Sequence, residues 1–137
     1  MSKKVIIKKM AFISLATLIF GLCFTGCSTD KTITEEYYGG SIRLDVNDVV
    51  EIRLQSNPTT GYSWFLEDGK DNNIVLVTGP EFIESKKEKD IVGAGGHEIF
   101  TVKALSKGET SILLNYKRLW EEEEEPIKTF EITISVD

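Results

Sequence analysis

Apolar residues recur at every second position over most of this chain, and that period permits only strands with one buried face. Val50, Ile52 and Leu54 alternate with Glu51, Arg53 and Gln55. Phe130, Ile132, Ile134 and Val136 alternate with Glu131, Thr133 and Ser135. Ile112, Leu114 and Tyr116 repeat the pattern, as do Phe100, Val102 and Ala104, and Trp64 with Leu66. Turn formers stand between the runs: Asn47-Asp48, Asp68-Gly69, Asp71-Asn72-Asn73 and Lys107-Gly108. No window of a dozen residues carries a helical stripe, and no segment repeats. The spacing predicts strands at about 41–46, 49–55, 62–67, 74–86 with a bend at Gly79-Pro80, 97–105, 109–118 and 127–136. The fold class is all-β, a sandwich of about seven strands.

Each strand of a sandwich runs from one end to the other, so alternate connections share an end. If Gly79-Pro80 bends one strand rather than separating two, the loops at 57–61, 87–96 and 119–126 meet there, as binding loops do in immunoglobulin-like domains. The first reads Asn57-Pro58-Thr59-Thr60-Gly61-Tyr62. Pro58 fixes φ and has no N–H to donate, Gly61 takes positive φ at little cost, and Asn57, Thr59 and Thr60 can bond nearby backbone. Such a loop keeps one shape, as an ordinary turn or as a rigid surface offered to a partner. The second loop holds Gly93-Ala94-Gly95-Gly96, a backbone that can lie close against another surface or simply flex. It is not a phosphate site, because no Lys-Ser/Thr follows and His97 opens a strand rather than a helix. The third loop opens with Tyr116-Lys117-Arg118-Leu119-Trp120 and runs into Glu121 to Glu125 and Pro126. A Trp beside Arg118 and five acids suits an interface anchor; the other reading folds it back over the sandwich end. The glutamates lack the alternating Asp, Asn and Gly of a calcium loop and read as solvated.

Residues 1–26 read as a leader. Lys3, Lys4, Lys8 and Lys9 form a basic start, and Met10 to Phe24 is apolar or small apart from Ser14 and Thr17. Those 15 residues are short for a membrane span and right for the apolar part of a signal. Phe24-Thr25-Gly26-Cys27 resembles a bacterial lipoprotein signal, with Gly26 before the cut and Cys27 as the lipidated first residue; a plain secretory leader with an incidental cysteine is the alternative. The expected organisation is a signal peptide at 1–26, a polar tether at 27–40 and one domain at 41–137, held to the cell envelope through Cys27 alone. Loss of the four leader lysines leaves twelve Lys and Arg against 22 acids, a net charge of −10. So acidic a domain is a poor nucleic-acid binder. Cys23 leaves with the leader and Cys27 is acylated, so no disulfide is expected. His97 is the single histidine and no free cysteine remains, which leaves Ser/His or Cys/His catalysis and a zinc site unsupported. No enzymatic activity, metal or cofactor is expected.

Taken in order, the Asn-Pro-Thr-Thr-Gly-aromatic loop, the Gly-x-Gly-Gly loop and the Arg-x-Trp loop resemble the chagasin family of cysteine-peptidase inhibitors over about residues 40 to 136. Asn57, Pro58, Thr59, Thr60, Gly61 and Tyr62 match the first motif in full, and Gly93, Gly95 and Gly96 match the second with Ala94 between them. The third departs from the family's Arg-Pro-Trp or Arg-Pro-Phe, since Leu119 stands in the proline's place between Arg118 and Trp120. The resemblance implies an immunoglobulin-like sandwich whose three loops wedge into the cleft of a papain-like cysteine peptidase. It implies further that Thr59 and Thr60 sit nearest the catalytic cysteine, the glycine loop on the non-primed side, and Arg118 with Trp120 on the primed side. A monomer is expected, since the end loops supply the evident interface. The rival reading is an envelope lipoprotein module that uses the same loops on a non-peptidase ligand.

Overall fold

The computed structural model describes residues 31–68, 73–85, 95–121 and 124–137; the leader and Cys27 lie outside them. Eight strands make two sheets: β1 (Thr32–Ile33), β2 (Gly40–Leu44), β3 (Val49–Ser56), β4 (Ser63–Asp68), β5 (Val75–Glu84), β6 (Gly96–Ala104), β7 (Gly108–Lys117) and β8 (Lys128–Val136). One sheet runs β1-β3-β6-β5 and the other β2-β8-β7-β4. The inward phase of each alternating run fills the space between them, with Ile52, Leu54, Val102, Ile112, Leu114, Ile132 and Ile134 fully buried beside Phe100, Phe130 and Trp64. This is the sandwich expected from the period of two, in the immunoglobulin-like form that the resemblance implies.

β5 crosses the sheet once. Its register against β6 shifts between Thr78 and Glu81, around the cis Gly79-Pro80 bond, yet Val75 pairs with Ala104 and Glu84 with Gly96 at the two extremes. The bend therefore does not add a traverse, and the connections after β3, β5 and β7 leave from the same end.

The stretch read as a tether up to residue 40 is folded from residue 32. Thr32 and Ile33 pair in parallel with Glu51 and Ile52, a 3₁₀ turn follows at Glu35–Tyr37, and the Glu35 carboxylate accepts the Gln55 N–H. Gly39 N–H donates to the Glu131 carbonyl at 2.8 Å. Two residues are too few to show a period, so the sequence carries no strand signal here. Ile33 is nevertheless fully buried. Ile33→Ala is expected to cost about 2–5 kcal/mol of stability, the range for truncating a core isoleucine, read as a lowered urea midpoint with an unchanged slope.

Candidate functional site

The first and third loops and the described base of the second meet at one end of the sandwich. Ser56 pairs with Gly96, Ser63 with Lys117, and Tyr116 with Lys128, so the last rungs of both sheets carry the loops side by side.

The first loop is a single 3₁₀ turn over Pro58–Thr60. Thr60 N–H donates to the Asn57 carbonyl at 3.1 Å and Gly61 N–H to the Pro58 carbonyl at 2.9 Å. The hydroxyls complete it: Thr59 Oγ1 donates to Asn57 Oδ1 (2.6 Å) and Thr60 Oγ1 to the Asn57 carbonyl (2.7 Å). Gly61 closes the turn in the left-handed region at φ 83°. Internal bonds thus engage the Asn57 and Pro58 carbonyls and both threonine hydroxyls, while Pro58, Thr59 and Thr60 stay exposed. The loop is rigid and protruding, as its residue types require.

The third loop is clipped to the first through Arg118. Its Nε donates to the Thr60 carbonyl (3.2 Å), its Nη1 pairs with Glu121 (3.0 Å), and its guanidinium lies 4.4 Å from the Tyr62 ring centroid. The hydrogen bond from Arg118 to Glu121, set against partial desolvation, holds the guanidinium above its ordinary pKa. One residue below, Lys117 bonds Glu67 at 2.9 Å and keeps that carboxyl below the usual range, first through the hydrogen bond and then through charge. Trp120 combines the two readings open to it. It is 68% exposed, yet its ring edge lies against Gly61, where a Cβ would come within 2.8 Å of Cζ2. Leu119 beside it is 65% exposed.

Of the second loop, Gly93 and Ala94 lie outside the described residues. Gly95 O accepts the Ser85 N–H at 3.4 Å, which closes the loop's base, and a Cβ on Gly95 would meet the Ser56 carbonyl at 3.2 Å. Gly96 belongs to β6 and is buried: its missing side chain leaves room for the Phe82 ring, whose Cζ would lie 2.7 Å from a Cβ. Its glycine is required by packing within the domain.

The sequence did not point to the polar group beneath the loops. Glu98 is buried, and its carboxylate accepts from Ser56 Oγ (3.2 Å), Ser63 Oγ (2.7 Å) and the Trp64 N–H (2.7 Å). Trp64 Nε1 reaches across to the Gln55 carbonyl at 3.0 Å. The Tyr116 oxygen accepts the Asn57 N–H at 3.0 Å, and its ring stacks between Tyr62 and Trp64 at centroid distances of 5.5 and 5.1 Å. The available signal was phase: Glu98 occupies an inward position of β6, two residues before Phe100. A carboxylate in that phase must find donors.

Residues 43–134 match a family described as chagasin family peptidase inhibitor I42. Chagasin of Trypanosoma cruzi is 34% identical over 92 residues, 64% of this chain and 81% of its own length. Amoebiasin-2 of Entamoeba histolytica is 27% identical over 116 residues, 84% of this chain and 92% of its own. The crystal structure of the cysteine protease inhibitor EhICP2 from Entamoeba histolytica superposes with a TM-score of 0.69 at 26% identity, covering 77% of this chain and 94% of that one. With a rigid 57–62 loop clipped to an Arg-x-Trp loop on a sandwich of this topology, the chain belongs to the chagasin family of peptidase inhibitors.

Proposed function

We propose that this protein is a reversible, tight-binding inhibitor of papain-like cysteine peptidases, acting as a monomer through the loops at one end of its sandwich. The observation that carries the assignment of the loops is the clip. Arg118 and Trp120 hold the protruding Asn57-to-Tyr62 turn in one shape before any partner arrives. A surface ordered beforehand loses little entropy on binding. Thr59 and Thr60 would lie over the catalytic cysteine, the Gly93-to-Gly96 backbone along the non-primed side by strand-like pairing, and Arg118, Leu119 and Trp120 on the primed side. A turn held closed by bonds to its Asn57, Pro58 and Thr60 carbonyls need not present a peptide bond in near-attack geometry, so the nucleophile would have nothing aligned to cleave.

Titration of residues 28–137 against active-site-titrated papain and a cathepsin L-like enzyme tests this. Competitive inhibition is expected, with the inhibitor recovered uncut and its binding lost when the active-site cysteine carries a bulky blocking group. Equal binding to free and blocked peptidase would place the contact outside the cleft.

The same proposal puts the domain outside the cytoplasm on a lipid at Cys27. The basic start, the 15-residue apolar run and Phe24-Thr25-Gly26-Cys27 support it. Labelled palmitate is expected to enter the wild-type protein and not Cys27→Ser, which should be released from membranes. Retention of label by the variant would remove Cys27 as the anchor.

A further inference from the structure

Both ends of the 57–62 loop converge on one buried carboxylate. We propose that Glu98 is the positioning residue of the inhibitory wedge: it is too deep to touch a peptidase, and it acts by fixing where the first loop leaves and re-enters the sandwich. The proposal rests on the assignment of that loop as the central contact.

Ser56 is the last residue of β3 before the loop, and Ser63 and Trp64 are the first of β4 after it. All three donate to Glu98, whose own strand, β6, lies in the sheet of β3 and opposite that of β4. One side chain thus ties the two stems of the loop together across the sandwich. Residue 98 also follows the glycine loop by two positions, so the same strand end carries the second loop's exit.

The direction of the hydrogen bonds follows from the chemistry of the hub. A carboxylate only accepts, and a serine hydroxyl has one proton. The Ser56 proton is therefore committed to Glu98, and the 3.4 Å contact between the Ser56 and Tyr116 hydroxyls is closed by the tyrosine's proton. The Tyr116 oxygen is then left to accept the Asn57 N–H. A chain of oriented bonds runs from Glu98 through Ser56 and Tyr116 to the first amide of the loop. A glutamine at 98 has nearly the same shape but turns an NH₂ toward one of the donors now bonded to an oxygen. Toward the Trp64 N–H, that sets donor against donor in a buried site; toward Ser56 and Ser63, the hydroxyls must turn to accept, which reverses the chain and takes from the Tyr116 proton its acceptor.

The test compares wild type with Glu98→Gln, Ser63→Ala and Tyr116→Phe, reading papain inhibition and amide hydrogen exchange. Glu98→Gln is expected to raise the papain inhibition constant by at least about tenfold, and the other two by a few-fold. Exchange at Asn57, Gly61 and Trp64 should quicken while Ile112, Leu114 and Ile132 stay protected, a local loss that a general stabilising role would not produce. An inhibition constant within twofold of wild type for Glu98→Gln, or protection lost evenly over both sheets, would overturn the positioning role. If wild type does not inhibit papain, the peptidase assignment falls instead, and the exchange pattern alone decides the positioning. If Glu98→Gln does not fold, the two milder variants carry the same two readings.

Discussion

Thr60→Arg is expected to abolish inhibition while the sandwich stays folded. Thr60 is exposed at the tip of the first loop, and its hydroxyl donates to the Asn57 carbonyl at 2.7 Å. Losing that bond costs about 1 kcal/mol of stability, a small part of what a core of this size supplies. At the tip the consequence is of a different size. A long cation in place of a compact hydroxyl stops the turn from reaching the floor of a narrow cleft, and every contact behind it is lost together. A loss of at least about 10³-fold, or about 4 kcal/mol of binding, is the scale of removing a central hot spot. Unfolding followed by fluorescence should show a midpoint close to wild type, and the inhibition assay no detectable inhibition at micromolar protein. A folded variant with an unchanged inhibition constant would remove the first loop from the site.

Gly61→Ala is expected to weaken inhibition by about a hundredfold through Trp120. The alanine must hold φ 83°, which costs roughly 1–2 kcal/mol for a residue with a Cβ. Its methyl also occupies the space of the indole edge, 2.8 Å from Cζ2. Trp120 is two-thirds exposed and can swing away into water, so the fold survives and the shaped surface does not. The loss matches that of a displaced aromatic anchor, about 2–3 kcal/mol. Because the two residues act through one contact, Gly61→Ala with Trp120→Ala should lose much less than the sum of the singles. Strict additivity in that double-mutant cycle would show the two residues to be independent.

The architecture was legible because the buried face of each long strand is written at every second residue: Val50-Ile52-Leu54, Ile112-Leu114-Tyr116 and Phe130-Ile132-Ile134-Val136 are all inward-facing and buried. The first loop was legible too, since Pro58 and Gly61 leave the chain between them few conformations. The 57–62 turn has the short, internally bonded form those residues imply. What stayed hidden depends on contacts between residues far apart in sequence. Ile33 pairs with Ile52 in a strand of two residues, too short for any pattern. Gly96 looks like loop backbone until Phe82 is seen in its place. Glu98 stands in the inward phase of its strand, but nothing nearby in the sequence shows that Ser56, Ser63 and Trp64, each more than thirty residues away, arrive to donate to it. The Arg118 clip on the Thr60 carbonyl is of the same kind, spanning 58 residues.

The parallel pairing of β1 with β3 and of β2 with β8 fixes at which pole of the sandwich the two ends of the described chain lie. Lys31 meets Glu51 near the start of β3, and Asp137 meets Leu44, so the described chain comes in and goes out at the pole opposite the loops. The four peptide steps from Cys27 to Lys31 reach at most about 14 Å. A lipid on Cys27 would therefore seat that pole close to the bilayer and lift the wedge above it by the length of β3, roughly 25 Å at 3.3 Å per residue. A peptidase would have to descend with its cleft facing the membrane. Freely diffusing enzymes or those on long stalks can adopt that pose, while one held flat against the same bilayer cannot. Coupling the protein to a bead through either terminus should accordingly leave its inhibitory end free.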